Sequence, residues 1–364
     1  MRGGLLAGRG VRAVAVVLVL AAAGCSGRPA TFRTVGVLQA VAAVSARDAW
    51  AVGRAGAEGC GCGQTLILHW DGATWSRMPS PRSASGIASL SGVAFTAARD
   101  GWAVGSVGDR PLILRWDGAR WRRVASPAVA GGVSLNAVAA VSATSAWAVG
   151  SAGGLATPRT LILQWDGTRW RRDPSPTPPG GGVLDGVAAA SATSAWAVGS
   201  ARRGALIEHW NGRAWKLVRG PASSVLQGAA AISAASAWAV GYNNGHGNKT
   251  LILRLADTTW RRVPSPSPAR RCIGTVLYGV AATAASAWAV GGYACAPRTL
   301  TLRWDGTTWE QVPSPSPAGS NFLQAVAITP AGGALAVGSS HGGTGTILLL
   351  EHWKGTTWTW LGRR

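Results

Sequence analysis

Fourteen carboxylates, five histidines and five cysteines are what this 364-residue sequence offers for catalysis or metal binding. Acid-pair hydrolysis needs two carboxylates roughly 5–10 Å apart at one accessible place, one giving a proton and the other attacking or activating water. Most of the acids instead recur at fixed places in a repeat. Asp71, Asp117, Asp166 and Asp305 each follow a Trp and precede a Gly, Asp257 lies in a looser copy, and Asp48 and Asp100 stand two residues before another Trp. Asp173 and Glu310 fall after a third Trp, and Glu208 and Glu351 share one position. Only Glu58, Asp109 and Asp185 remain, so the best catalytic case is Asp185 with Asp109 or Glu58, in different repeats. His69, His209 and His352 also share one position, and a copper centre of two Tyr and two His has no counterpart. Cys60-Gly-Cys62 lacks a local His partner, so no metal and no cofactor is expected. A disulfide between Cys272 and Cys295 is expected. Four cysteines besides Cys25 allow three pairings, and in the one that contains Cys272–Cys295 the Cys60-Gly-Cys62 segment could close on itself, though so small a ring is strained.

Hydrogen bonding is the better-supported chemistry. The residue after the first Leu of a recurring Leu-x-[Ala/Gly]-Val-Ala segment, or a close variant, is Gln39, Ser91, Asn136, Asp185, Gln227, Tyr278 and Gln324. Seven polar residues at one place in otherwise apolar segments suit a ring that binds a sugar or peptide, or else a hydrated channel. A second row, Arg110, Arg159, Arg203, Lys249 and Arg298, precedes another apolar run in five repeats and would lie around the same face as the first row. It suits an anionic ligand, or else solvated loop ends.

What positions these rows is a repeat. Ala-Trp-Ala-Val-Gly or a close variant places Trp at 50, 102, 147, 196, 238 and 288, with Leu335 in a seventh copy, at intervals of 42–52 residues. Trp-Asp-Gly-x-x-Trp, or a looser version, follows each copy. Each repeat reads as four short strands. Strand a is the Ala/Val segment, such as Leu184–Ala190, and strand b is Ala-Trp-Ala-Val-Gly. Strand c is Thr-Leu-Ile-Leu-x-Trp, such as Thr160–Trp165, and strand d is x-Trp-Arg-Arg-Val, such as Arg169 onward, with Asp-Gly turning between c and d. Pro-Ser-Pro after strand d suits an outermost edge, since proline cannot donate to a ladder. Four strands at a period near 40–50 predict an all-β, seven-bladed β-propeller of four-stranded antiparallel blades, with strand a innermost. The a–b and c–d turns hardly vary in length. The variable b–c and d–a loops share the other face, where binding residues concentrate.

The segment Ala287–Gly292, Ala-Trp-Ala-Val-Gly-Gly, resembles the kelch strand that ends in two glycines. Residues 68–82, with Trp70, Trp75 and Met-Pro-Ser-Pro-Arg, resemble its aromatic turn. The Asp-Gly turns are also similar to the Asp-box of sialidase-type propellers. Both resemblances imply the same architecture. The second implies an Arg cluster with a Tyr nucleophile, for which Tyr278 is the candidate.

The N-terminus reads as an export leader. Arg2, Arg9 and Arg12 precede an apolar run from Ala13 to Ala23, too short for the ~20 residues of a membrane span. Ala22-Ala23-Gly24-Cys25 resembles a bacterial lipobox, which implies lipidation of Cys25. The expected organisation is a lipoprotein-type signal peptide at 1–24, a short tether at 25–37 and the propeller at 38–364. The formal charge of +21 falls to 32 − 14 = +18 once three Arg leave with the leader. Export removes most nucleic-acid partners, so none is expected. The expected protein is a monomeric, lipid-anchored surface scaffold, localised outside the cytoplasm, that binds an envelope protein, a peptide or a glycan without catalysis. A basic rim (Arg122, Arg123, Arg171, Arg172, Lys216, Arg261, Arg262) would rest on the membrane. The alternatives are an extracellular carbohydrate-active enzyme of the sialidase or glycosidase kind, and an envelope assembly factor.

Overall fold

Short apolar runs, nearly continuous in strands b and c and so buried on both faces, turn each repeat into one sheet. The computed structural model describes residues 35–361, apart from 57–62, 82–85, 155, 245–247, 268–273, 294–297, 318 and 343–344. The leader, Cys25, Glu58, Cys60, Cys62, Cys272 and Cys295 lie outside the described residues, and so do the lipidation and disulfide expectations.

Among the described residues 28 strands form seven four-stranded antiparallel sheets and no helix occurs. Blade 1 comprises strand a (Gly36–Ser45), strand b (Asp48–Ala55), strand c (Gln64–Trp70) and strand d (Trp75–Arg77). Every blade takes four consecutive strands in chain order. The blades succeed one another around a central axis as a seven-bladed β-propeller. Blade 7 meets blade 1 in a core that joins Leu38, Leu66 and Leu68 to Leu335, Val337 and Leu350. One antiparallel bridge, Val35 to Ile347, also spans that seam.

Strand a is longer than its Ala/Val motif, ten residues in the first five blades, and in blade 1 it starts at Gly36. It also carries a β-bulge in all seven blades. Leu38 pairs with Gly53 and Ala40 with Val52, which leaves Gln39 without a partner on strand b. The same skip omits Ser91, Asn136, Asp185, Gln227, Tyr278 and Gln324. Opposite each bulge stands the Gly of Ala-Trp-Ala-Val-Gly. A Cβ on Gly150 would overlap the Ser134 carbonyl oxygen and come within 3.0 Å of the Leu135 Cα. The bulge therefore dictates that glycine. Just after the bulge, neighbouring a strands nearly touch. A Cβ on Gly228 would lie 2.7 Å from the Tyr278 carbonyl oxygen of the next blade. Only Gly or Ala occupies this position in all seven copies, which accounts for the Ala/Gly content of the inner strands.

The tryptophans hold the other end of each blade. Trp70, Trp116, Trp165 and Trp210 on strand c donate through Nε1–H to the carbonyls of Ala46, Ala98, Ala143 and Ala192 in the a–b turns, at 3.0–3.2 Å. Each strand-b indole also packs on the adjoining blade. Trp102 lies 4.8 Å from Trp165 and edge-on to Trp170 at 5.0 Å, and Trp238 and Trp288 repeat the arrangement with Trp304/Trp309 and Trp353/Trp358. Such ring pairs add about 0.5–1.5 kcal/mol each beyond their burial. Arg115, Arg254 and Arg303 cover these pairs 5.1–5.8 Å from the ring centroids. His69 and His209 stack on Trp50 and Trp196 from the same strand-c position, so the histidine row belongs to the packing.

The c–d turns are more than tight hairpins. The Asp71 carboxylate accepts from the N–H groups of Ala73 and Thr74, and Asp117, Asp166, Asn211 and Asp305 repeat the pattern. These hydrogen bonds hold the Asp71 and Asp305 carboxyls well below the usual range. The Arg122 side chain does the same for Asp117, and the Thr168 hydroxyl leads for Asp166.

Candidate functional site

The seven bulges aim their side chains at one place. Gln39, Ser91, Asn136, Asp185, Gln227, Tyr278 and Gln324 line a single axial cavity of about 370 Å³. The bulge is the local cause, because a residue outside the ladder is released from the in-out alternation of its strand. The polar row precedes the middle of strand a, so the cavity lies toward the face where d–a loops arrive and b–c loops leave. That is the face with loops of variable length.

Inside the cavity, Asn136 organises the contact between blades 3 and 4. Its Nδ2–H group donates to the Leu184 carbonyl at 2.9 Å and approaches Asp185 Oδ1 at 3.4 Å, while its Oδ1 accepts from the Ser134 hydroxyl at 2.7 Å. Burial pushes the Asp185 carboxyl up to about 6. Burial, and then the nearby Tyr242, also raises the Tyr278 phenol. The Tyr278 ring stands edge-on to Phe322 at 6.4 Å. Beside the axis, between blades 7, 1 and 2, a second cleft of about 320 Å³ shares Gln39, Ser91 and Gln324 and adds Arg54, Ile87 and His341.

The cation row does not reach this cavity. Arg110, Arg159, Arg203, Lys249 and Arg298 are exposed at or next to the start of strand c, two strands out from the axis. None pairs with a carboxylate among the described residues. The rim cations differ: Arg122 and Arg171 pair with the turn acids Asp117 and Asp166.

The candidate acid pair is not assembled among the described residues. Asp109 is exposed in the b–c turn of blade 2, away from the lining of the cavity, where Asp185 is the one carboxylate. Among the described residues no Arg lines the cavity beside Tyr278, so the cluster that the sialidase likeness implied is not formed by them. No group of three or more His, Cys, Asp or Glu able to hold a metal ion occurs among the described residues.

Two acids lie where sequence reasoning placed nothing of interest. Glu208 and Glu351 occupy a strand-c core position filled by Leu68, Leu114, Leu163, Leu253 and Leu302 elsewhere, and they are 0% and 1% exposed. The Ser175 hydroxyl donates to Glu208 at 3.0–3.1 Å, whereas both Glu351 carboxyl oxygens lack a hydrogen-bond partner among the described residues. Burial pushes Glu208 up to about 7 and Glu351 up to about 8. The signal was present in the sequence, as a charge substituted for Leu in an aligned repeat.

No family model and no curated protein matches the sequence. Solved structures do match the fold. "YCF48 bound to D1 peptide" superposes with a TM-score of 0.58 at 18% identity over 88% of this chain and 92% of that one. "YCF48 from Cyanidioschyzon merolae" gives 0.54 at 19% identity, over 87% and 95%. "Structure of U3-55K" gives 0.51 at 10% identity, over 75% and 80%. At these identities the likeness is one of architecture: the chain shares the propeller fold of these proteins.

Proposed function

We infer that the propeller is a protein-binding scaffold that holds a peptide segment at the axial end of its variable-loop face, without chemistry of its own. The observation that carries this reading is the convergence of seven bulged polar residues on one open cavity. A scaffold needs only interblade packing at those positions, and apolar residues would serve it. A solved propeller of the same architecture is described with a D1 peptide bound, which makes a peptide the favoured ligand over a glycan. That Asp185 is the one carboxylate among the described lining residues argues against acid-pair hydrolysis. The same reading takes the chain as an exported bacterial lipoprotein anchored through Cys25, with kelch-like or Asp-box-like blades. The basic leader, the short apolar run and the small residues before Cys25 support export, and the carboxylate-capped c–d turns support the Asp-box likeness.

Panning a displayed peptide library on the purified propeller tests binding. Enriched peptides should lose affinity for a Gln227→Ala/Gln324→Ala double variant that melts like the parent. Enriched peptides indifferent to those changes would place recognition elsewhere. For the anchor, Cys25→Ser should move the protein from the membrane fraction to the soluble one.

A further inference from the structure

Charge on the variable-loop face changes sign with distance from the axis. At the centre stands Asp185, whose one hydrogen-bond partner among the described residues is the Asn136 amide at 3.4 Å, and no described cation pairs with it. Around it the cavity offers oxygen acceptors on Ser91, Gln227 and Gln324 and the ring of Tyr278. Among the described residues no Lys or Arg lines it. Farther out on the same face come Arg110, Arg159, Arg203, Lys249 and Arg298, all exposed and without carboxylate partners among the described residues. The collar also holds the exposed Asp109 beside Arg110, but its described charge stays net positive around a negative well.

We propose that this cavity takes one arginine side chain, presented by an acidic segment of a partner protein. The inference rests on the peptide-binding reading above and narrows it. A planar guanidinium carries five donors and sheds water more readily than an ammonium, so it suits several separated acceptors around one carboxylate. The Tyr278 ring adds a surface that attracts cations. A buried carboxylate with no described cation beside it gains most from the ion that it lacks. The flanks follow from the collar: a polycationic segment is repelled there, whereas Asp and Glu beside the arginine meet the five cations. Screening over about 8 Å at physiological salt keeps well and collar electrostatically distinct.

The test uses the whole propeller and a fluorescein-labelled, C-terminally amidated Glu-Glu-Arg-Glu-Glu peptide, followed by anisotropy. Replacing the arginine by citrulline, which keeps the shape and removes the charge, should weaken binding about tenfold or more. Asp185→Asn should do the same to the arginine peptide and leave the citrulline peptide unaffected. Replacing the four Glu by Ser should weaken binding and flatten its salt dependence. Tyr278, the one other titratable residue in the lining, stays neutral below its raised pKa. Affinity of the parent should therefore fall between pH 7.5 and pH 5 as Asp185 takes up its proton, a readout that needs no variant to fold. Equal binding of the arginine and citrulline peptides would overturn the inference, and so would an affinity unchanged by pH. If the library yields ring-dependent peptides that lack arginine, this inference falls while the peptide-binding function stands. If no enriched peptide depends on the ring, both fall.

Discussion

Replacing Glu351 by Leu should stabilise the propeller, and the gain should grow with pH. Glu351 is 1% exposed at a position where five blades carry Leu, and its carboxyl oxygens have no hydrogen-bond partner among the described residues. Burial lifts its pKa from 4.5 to about 8. Below about pH 4.5 the group is neutral folded and unfolded, and the native state keeps its full stability. Between pH 4.5 and 8 the native state holds a proton that the unfolded chain has released, so stability falls as pH rises. At 1.36 kcal/mol per pH unit the loss across that window is about 5 kcal/mol at most. For a propeller of about 330 residues, an unfolding entropy near 2.1 cal/mol/K per residue converts 1 kcal/mol to roughly 1.5 °C. Calorimetric melts of the parent and Glu351→Leu should therefore separate by up to about 7 °C at pH 8 and converge toward pH 5. Glu208 remains in both proteins and cancels from the difference. A difference in Tm that stays constant from pH 5 to 8, or a Leu variant less stable than the parent at pH 8, would refute the assignment of a buried, pH-dependent penalty to Glu351.

Gly150→Ala should destabilise by at least about 2 kcal/mol, because its methyl group has no space against the backbone of strand a, and urea titration reads the loss directly. Trp165→Phe removes the indole donor to the Ala143 carbonyl and part of the ring packed on Trp102, a cost of about 1–3 kcal/mol in the same assay. Asp257 takes the left-handed place that Gly fills in the other c–d turns, at φ 60°. Asp257→Gly should be neutral or stabilise by up to about 1 kcal/mol, and a clear loss would show that the carboxylate has a role there.

Blade number, strand order and the identity of the inner strand were legible because each rests on the seven-fold recurrence of Trp, Gly and Asp. The convergence of Gln39, Ser91 and the others was legible as a row, but its cause was not. A bulge is a property of pairing between two strands, and a single segment such as Leu-Gln-Ala-Val-Ala reads as regular strand. The trace it leaves is the partner glycine, 15 residues after the Leu in six copies and 14 in one. The cation row was legible as a set at the start of strand c, which the structure places two ladders out from strand a. Glu208 and Glu351 were visible as a shared position, yet their burial follows from how neighbouring blades pack. The cysteine pairing, the lipidation of Cys25 and the role of Glu58 concern residues outside those described.

Every sheet is completed by strands that follow one another in the chain, including the first and the last. Among the described residues no strand from one terminus is lent to the sheet at the other, so closure rests there on the side-chain seam between blades 7 and 1 and the Val35–Ile347 bridge. Pulled from its two ends, the ring should part at that seam and then shed whole sheets one after another, as a sawtooth of similar length increments. The inter-blade loops are equally suited to new termini, and whole-repeat duplication or loss would change the circumference without cutting a sheet.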